Sequence, residues 1–458
     1  MPEAEQHNTA KTADADPSQL AANVAEALSS NDAGRLHALV SDLRPPDLAD
    51  VIELLEPDQR VQLIQQLGAD FNFEVLSELD PAVRDQLSEA LPNELLARAV
   101  TELDSDDAAY VIESLEKADK DEILAQIPRD ERAALERNLE YPEETAGRLM
   151  QAEFVAVAPF WNVGQVIDYM RESEDLPQTF SEIFVVDPAF KVLGAVDLSR
   201  LLRTKRQVRV EEIMEPVREV VLATDDQEKV ARQFQRYDLM SAPVVDQNNR
   251  MVGVVTVDDV VEVIQEEAEE DIRALGGVGD ESVVDPLKAV LPSRFTWLCV
   301  NLVNSLISCW VISQFDATLQ QMVTLAALMP IVASMGGNAA TQTMTISVRA
   351  LALQVLGPMN LTRFVLRETA VGLLNGLMFA VILGAIVVLW FGVGKLGLVI
   401  GAAIICNMLA AALAGILVPL LLHRRGYDPA VSSTVFVTTI TDVVGFFSFL
   451  GLATIWLL

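Results

Sequence analysis

The chain has 458 residues, enough for about three domains of roughly 150 residues each. Its formal net charge of −33 is unevenly spread, because the part before residue 290 carries −36 while residues 290–458 are slightly basic. A region with this much negative charge repels nucleic acid and anionic lipid and attracts cations. No nucleic-acid partner is therefore expected. Solubility or an adaptation to salt would explain the same charge.

Cysteine and histidine usage excludes several kinds of site. Cys299, Cys309 and Cys406 all lie in apolar stretches, so neither a disulfide framework nor a thiolate metal site is expected, and three scattered histidines are too few for a zinc pathway. Residues 1–20 are small and polar and are predicted to form a disordered tail without the apolar core of a signal peptide. The acidic part should therefore remain in the cytosol.

Five long runs with almost no charge follow Arg294, and each is long enough for a transmembrane helix of about 20 residues. A soluble helical core would not leave such runs uncharged. Basic residues fall between runs two and three and between runs four and five, which predicts a multi-pass protein of the plasma (inner) membrane with a cytoplasmic N-terminus and an external C-terminus. The runs are Phe295–Phe315, Ala317–Val348, Thr369–Gly394, Leu396–Leu422 and Pro429–Leu458.

Asp442 is the single charge within the last run, near its middle. A carboxylate at that depth costs several kcal/mol unless it faces water, a cation or a partner. Pairing with an arginine is the structural alternative, but no basic residue lies at that depth in any run. The neighbouring hydroxyls and glycine suit a hydrated helix face, so we expect Asp442 to lie on a cation pathway.

The second run is interrupted by Pro330 and then by Gly336-Gly337-Asn338, with Gln342 on the following turn. Glycines allow close helix packing or local unwinding, and non-helical backbone at this depth is tolerated only beside protein or water. The polar side chains favour a pore lining over ordinary small-residue packing. Asn407 in the fourth run is expected to make an interhelical hydrogen bond.

The cytosolic part has two patterns. Residues 21–146 contain a helical repeat of about 25 residues, typical of a small superhelix. Residues 147–257 contain a duplicated strand–turn–strand–helix unit of about sixty residues that resembles a pair of CBS modules. An acidic segment follows in residues 258–290 and is read as a connecting helix with apolar residues, Val260, Val261, Val263 and Ile264, towards one side. A solvated helix is the alternative to a gating element.

Together these features resemble the MgtE family of magnesium channels over nearly the whole chain after residue 20. The most specific motifs are Gly336-Gly337-Asn338 after Pro330, Asp428-Pro429-Ala430, and the stretch from Thr438 to Gly445. The fold implied is a multi-domain membrane protein: an α-helical superhelical N domain, α/β tandem CBS domains, an acidic connecting helix and a five-helix transmembrane domain.

The resemblance also implies a homodimer in the lipid bilayer whose pore lies on the two-fold axis. Asp442 of both subunits would face a hydrated Mg²⁺ ion, with Asn338 and Thr438 lining the pore. Mg²⁺ sheds water reluctantly and is usually held through its waters by one or two carboxylates. The implied activity is a Mg²⁺-selective channel that carries Mg²⁺ into the cytosol down its electrochemical gradient.

Feedback by cytosolic Mg²⁺ is a further implication, in which the ion bridges acidic faces and closes the pore. This family often has another acid where this chain has Tyr110, so one bridging site is expected to be weaker. ATP could bind the CBS modules, with Asp259 at the ribose. The implied regulatory metal ligands are Asp106, Asp107, Asp258, Asp259, Glu262, Glu266, Glu267, Glu270 and Asp428.

Two alternatives remain open. A transporter of broader preference, for Co²⁺ or Mn²⁺, is disfavoured because no Cys, His or Met lies near Asp442 in the sequence. A membrane-anchored CBS nucleotide sensor without transport would have no need of an unpaired mid-membrane carboxylate. An enzyme is not expected, since no nucleophile–base pair is visible.

Overall fold

The computed structural model describes residues 16–173, 176–177, 179–279, 281, 287–352, 356, 358–425 and 427–457. The chain divides into two compact units, Met1–Glu267 (unit 1) and Ala268–Leu458 (unit 2). Each unit is described by itself.

Unit 1 begins with short stacked helices. Proline occupies the first position of several of them, where its missing N–H is not needed and its fixed φ favours the helix. Helices begin at Pro57, Pro81 and Ser105, and their spacing of 24 residues agrees with the predicted repeat of about 25. The helices are α1 (Pro17–Ser29), α2 (Ala33–Val40), α3 (Pro45–Glu53), α4 (Pro57–Leu67), α5 (Pro81–Ala90), α6 (Asn93–Glu102), α7 (Ser105–Ile112), α8 (Lys117–Gln126) and α9 (Arg129–Glu140), with 3₁₀ turns at Gly68–Asp70 and Phe73–Leu76.

The predicted disordered tail, 1–20, extends too far. Helix α1 already begins at Pro17, where the side chain of Asp16 accepts a hydrogen bond from the Ser18 backbone N–H at 3.2 Å. Val24 of this helix is fully buried in the helical core, so packing as well as capping orders the segment. Residues 1–15 lie outside the described residues.

The second part of unit 1 contains two three-stranded sheets of the same topology, which confirms the predicted duplication. In each sheet the first strand is parallel and the last strand antiparallel to the middle strand, in the orders β1-β2-β3 and β4-β5-β6. The elements are α10 (Ala146–Leu149), β1 (Ala156–Val157), α11 (Val163–Glu172), β2 (Glu182–Val186), β3 (Val192–Asp197), α12 (Leu198–Arg203), a 3₁₀ turn at Val210–Glu212, β4 (Val221–Leu222), α13 (Gln227–Tyr237), β5 (Ser241–Val245) and β6 (Met251–Thr256).

Helix α14 (Val257–Gly276) corresponds to the predicted connecting helix, but its first turns pack in the core of the second sheet. Val260 and Val263 are 1% and 2% exposed there. Val261 is 58% exposed, so its predicted place on the apolar side is wrong. The buried stripe is narrower than predicted, since Val261 lies about 100° around the helix from Val260.

Unit 2 is helical, and four of its described helices are long and apolar enough to cross a membrane: Val290–Ser313, Asn360–Phe391, Gly394–Arg424 and Thr434–Leu457. The predicted count of five is not confirmed, because the glycines and polar residues around Asn338 lower the hydropathy of α17. The predicted run Ala317–Val348 is also divided, since Met322 leaves helical geometry. The helices are α15 (Leu287–Ser313), α16 (Asp316–Gln321), α17 (Thr324–Ala352), α18 (Pro358–Phe391), α19 (Gly394–Arg424) and α20 (Pro429–Leu457).

Candidate functional site

Asp442 lies on α20 and is partly buried against α15. The hydroxyl of Ser308 on α15 is 3.5 Å from Oδ2 of Asp442, at the outer limit of hydrogen-bond distance. The ion pairs found in unit 2 join Arg294 to Glu281 and Arg367 to Glu368, so Asp442 has no basic partner among the described residues. The Ser308 hydroxyl agrees with the polar surroundings expected for Asp442, and the role of Asp442 on a cation pathway stays a prediction.

Sequence reasoning missed Ser308. Asn304 and Ser308 are 7% and 6% exposed on α15, four residues apart and therefore on one helix face. Oδ1 of Asn304 is buried and has no hydrogen-bond partner among the described residues. Two buried polar residues at helical spacing in an apolar run were the available signal.

The other two predicted pore residues lie on different helices. Thr438 is one turn before Asp442 on α20, and its hydroxyl donates to the Thr434 carbonyl at 2.8 Å. Asn338 is exposed on α17, which continues as a helix through Gly336 and Gly337. The backbone is therefore not unwound here; Gly336 packs closely against Asn407, whereas a Cβ at Gly337 would meet nothing within 4 Å.

A cluster of carboxylates in unit 1 contains five of the predicted regulatory ligands. Asp106 and Asp107 on α7 approach Asp258 and Asp259 at the start of α14, and Glu262 follows one turn later on α14.

The carboxylates of this cluster raise one another's pKa. Burial raises the pKa of Asp106, and the neighbouring Asp259 and Asp107 raise it further. Burial, with Asp104, raises the pKa of Asp107 to about 6. Burial, with Asp258 and Asp107, raises the pKa of Asp259 to about 7. Desolvation, then Glu78 and Asp107, raises the pKa of Glu262 to about 7.

One carboxyl oxygen of this cluster has no partner. Oδ1 of Asp106 is buried and accepts no hydrogen bond among the described residues, and Asp106 is 9% exposed. Among all the residues that the structure describes, no group of three or more His, Cys, Asp or Glu side chains is arranged to hold a metal ion. The carboxylates are therefore close enough to raise one another's pKa but do not form a closed coordination shell.

Two other predicted ligands have protein partners. The Tyr110 hydroxyl donates to Oε1 of Glu266 at 3.1 Å, and the Gln227 amide donates to Oε1 of Glu267 at 2.9 Å. The remaining two, Glu270 and Asp428, are exposed in unit 2. Asp428 lies near Asp271, whose pKa is raised by burial and by the charge of Asp428.

Unit 1 also contains a cavity of about 260 Å³ near the first sheet. Asp259, the predicted ribose ligand, does not line it. Five carboxylates and two guanidinium groups do, and one of these, Arg200, is already paired with Glu215. This excess of negative charge opposes a triphosphate, so the residues that line the cavity do not fit ATP. ATP binding stays a prediction.

The comparisons with known proteins agree along the chain. Residues 329–452 match the MgtE family described as a divalent cation transporter, residues 43–144 match the MgtE intracellular N domain, and residues 146–206 and 210–266 each match the CBS domain. The second CBS match includes the first turns of α14, consistent with the packing of Val260.

Full-length relatives are also similar. The magnesium transporter MgtE of Thermus thermophilus is 33% identical over 442 residues, covering 95% of this chain and 98% of that protein. The magnesium transporter MgtE of Bacillus subtilis is 26% identical, covering 91% and 93%. A crystal structure of the cytosolic domain of the Mg²⁺ channel MgtE in complex with ATP is 33% identical, covers 53% of this chain and 99% of that chain, and has a TM-score of 0.49. The chain therefore belongs to the MgtE family of magnesium transporters.

Proposed function

We propose that this chain carries Mg²⁺ across the membrane into the cytosol, down its electrochemical gradient, along a pathway that passes Asp442. The observation that supports it is a partly buried carboxylate among apolar helices, with the Ser308 hydroxyl beside it and no basic side chain paired with it among the described residues. A hydrated Mg²⁺ ion would offset the cost of that charge through its waters. A homodimer would supply two such carboxylates, with Asn338 and Thr438 as further oxygen ligands.

The test is Mg²⁺ uptake into vesicles containing the purified full-length protein. We expect Asp442→Ala to abolish uptake, whereas Asp316→Ala, at the start of α16, serves as the matched acidic control and leaves uptake near normal. Near-normal uptake by Asp442→Ala would rule out the assigned pathway. Competition by Ca²⁺, Mn²⁺ and Co²⁺ in the same assay distinguishes a Mg²⁺-selective pathway from the broader alternative.

We further propose that cytosolic Mg²⁺ closes the pathway by binding the carboxylate cluster between α7 and α14. The unpartnered Oδ1 of Asp106 and the raised pKa values of Asp107 and Asp259 support this, because repelling carboxylates are relieved by a divalent cation. Mg²⁺ also prefers such oxygen ligands. Two exposed residues of unit 2, Glu270 and Asp428, are proposed as further ligands of the regulatory Mg²⁺.

Neutralising Glu262, Glu266 and Glu270 together to Gln tests this regulation. Uptake by the triple variant should be less sensitive to Mg²⁺ on the cytosolic side, while its uptake at low internal Mg²⁺ stays normal. Unchanged inhibition would contradict the proposed role of α14.

A further inference from the structure

Asn407 joins three helices of unit 2. It lies on α19 and is fully buried, and its side-chain amide donates a hydrogen bond to the Val332 carbonyl of α17 at 2.8 Å. The predicted interhelical hydrogen bond is thus confirmed. The other amide atom, Oδ1, is buried and has no hydrogen-bond partner among the described residues.

Two glycines on different helices leave room for this amide. A Cβ at Gly336 of α17 would overlap the Asn407 amide, with the nearest atoms all belonging to that side chain. A Cβ at Gly445 of α20 would lie 2.8 Å from Nδ2 of Asn407. Real Cβ atoms essentially never come within 3.0 Å of such a neighbour, and both of these Cβ atoms would, so the amide sets how closely α17 and α20 approach α19.

The same two glycines neighbour the proposed pore residues. Gly336 is two positions before Asn338 on α17, and Gly445 is three positions after Asp442 on α20. A shift of either helix against α19 would therefore move Asn338 or Asp442. An unpaired buried oxygen costs free energy, so a purely stabilising role would be served as well by an apolar side chain of the same shape.

We propose that Asn407 is a positioning residue for cation passage: by holding α17 and α20 at a fixed approach, it sets the placement of Asn338 and Asp442. It does not contact the ion. The inference rests on the proposed function of Asp442, and it adds a residue that acts on selectivity through helix position.

The experiment compares Asn407→Leu, which keeps the shape, and Asn407→Ala with the wild type in reconstituted vesicles, measuring thermal unfolding and the ratio of Mg²⁺ to Ca²⁺ uptake. We expect Asn407→Leu to unfold at a similar or higher temperature. Both variants should lower the Mg²⁺/Ca²⁺ uptake ratio by about tenfold, equivalent to about 1.4 kcal/mol. An unchanged ratio in both would overturn the proposal, since a structural role alone predicts changes in unfolding only.

A double-mutant cycle tests the steric relationship. Gly336→Ala should lower Mg²⁺ uptake strongly in the wild type and far less in the Asn407→Ala background, where the atoms it would overlap are absent. Gly445→Ala should behave in the same way as Gly336→Ala, and Gly451→Ala, where a Cβ would meet nothing within 4 Å, is its matched control on α20. An equal loss of Mg²⁺ uptake by Gly336→Ala in both backgrounds would overturn the proposal.

The two proposals fail separately. Normal uptake by Asp442→Ala would remove the assigned pathway whatever Asn407 does. Loss of uptake in Asp442→Ala together with an unchanged ratio in both Asn407 variants would overturn only the positioning role.

Discussion

The hydroxyl of Tyr110 donates a hydrogen bond to Glu266 at 3.1 Å, and the guanidinium group of Arg84 lies 3.3 Å from the centre of the Tyr110 ring. Burial is the main cause that raises the pKa of Tyr110, so the hydroxyl stays protonated and remains a donor at neutral pH. Tyr110 stands where the family resemblance leads one to expect a further acid. Here a neutral side chain joins α7 to α14 by a direct hydrogen bond.

Tyr110→Phe should weaken this contact specifically when Mg²⁺ is absent. The ring and its stacking with Arg84 are kept, while a hydrogen bond to a charged acceptor, worth about 1.5 kcal/mol, is lost. Hydrogen exchange of the amides in residues 257–267 of the full-length protein measures the effect. We expect faster exchange in EDTA and a smaller difference in saturating Mg²⁺.

Tyr237→Phe is the control, because Tyr237 is 40% exposed at the end of α13. Tyr110→Asp adds a carboxylate instead and should make protection of the same amides depend more strongly on Mg²⁺. Identical exchange in Tyr110→Phe and the wild type would show that the hydroxyl contributes nothing to the contact.

The carboxylate cluster predicts an unusual pH dependence. An acid whose pKa is raised on folding binds more protons in the folded than in the unfolded chain, so its contribution to stability falls as the pH rises. For Asp107 the window runs from 3.8 to about 6, and for Asp259 from 3.8 to about 7. In EDTA, thermal unfolding should therefore occur at a lower temperature at about pH 8 than at about pH 6.

Saturating Mg²⁺ should reverse that trend, since the ion binds the ionised carboxylates and must compete with protons below neutral pH. Asp107→Asn removes one titrating group and should flatten the dependence seen in EDTA. Asp58→Asn, at an exposed position in the first turn of α4, is the control. A stability that rises steadily with pH in EDTA would contradict this prediction.

Ser308→Ala should lower Mg²⁺ uptake by roughly threefold, less than Asp442→Ala does, because a hydrogen bond of 3.5 Å is a weak one. Ser305→Ala is the control on the same helix, since the exposed Ser305 hydroxyl donates to the Asn301 carbonyl at 3.1 Å. Uptake into vesicles measures both variants. A loss as complete as that of Asp442→Ala would mean that Ser308 itself binds the ion.

Arg148→Ala should destabilise unit 1 by about 3 kcal/mol, because it removes the ion-pair partner of a largely buried carboxylate, Glu113. Arg148 and Glu113 are 15% and 22% exposed and 2.9 Å apart, and the guanidinium group also donates to the Asn138 carbonyl at 3.3 Å. Arg132→Ala is the control: its ion pair with Glu136 is exposed and should contribute about 0.5 kcal/mol. Chemical denaturation of the full-length protein, followed by a probe in unit 1, distinguishes the two.

The sequence by itself determined the elements whose signals are local. Proline and acidic residues in the repeat predicted the starts of α4, α5 and α7, and short apolar runs bounded by turns predicted β2, β3, β5 and β6, because helix capping and turn formation act over a few residues. Uncharged runs located the long helices of unit 2, and the single charge at Asp442 needed only its neighbours to be recognised. Asp16 before Pro17 is a local signal of the same kind and marks the start of α1 inside the expected tail.

Only the tertiary structure decided which distant side chains meet. That Ser308 lies beside Asp442, that Tyr110 contacts Glu266, and that Gly336 and Gly445 leave room for one amide depend on how separate helices pack. Helix periodicity fixes a residue's face but not the helix that covers it. For the same reason the sequence singled out Asn338 and Asp442, while Asn407, which touches both of their helices, was expected only to make a hydrogen bond.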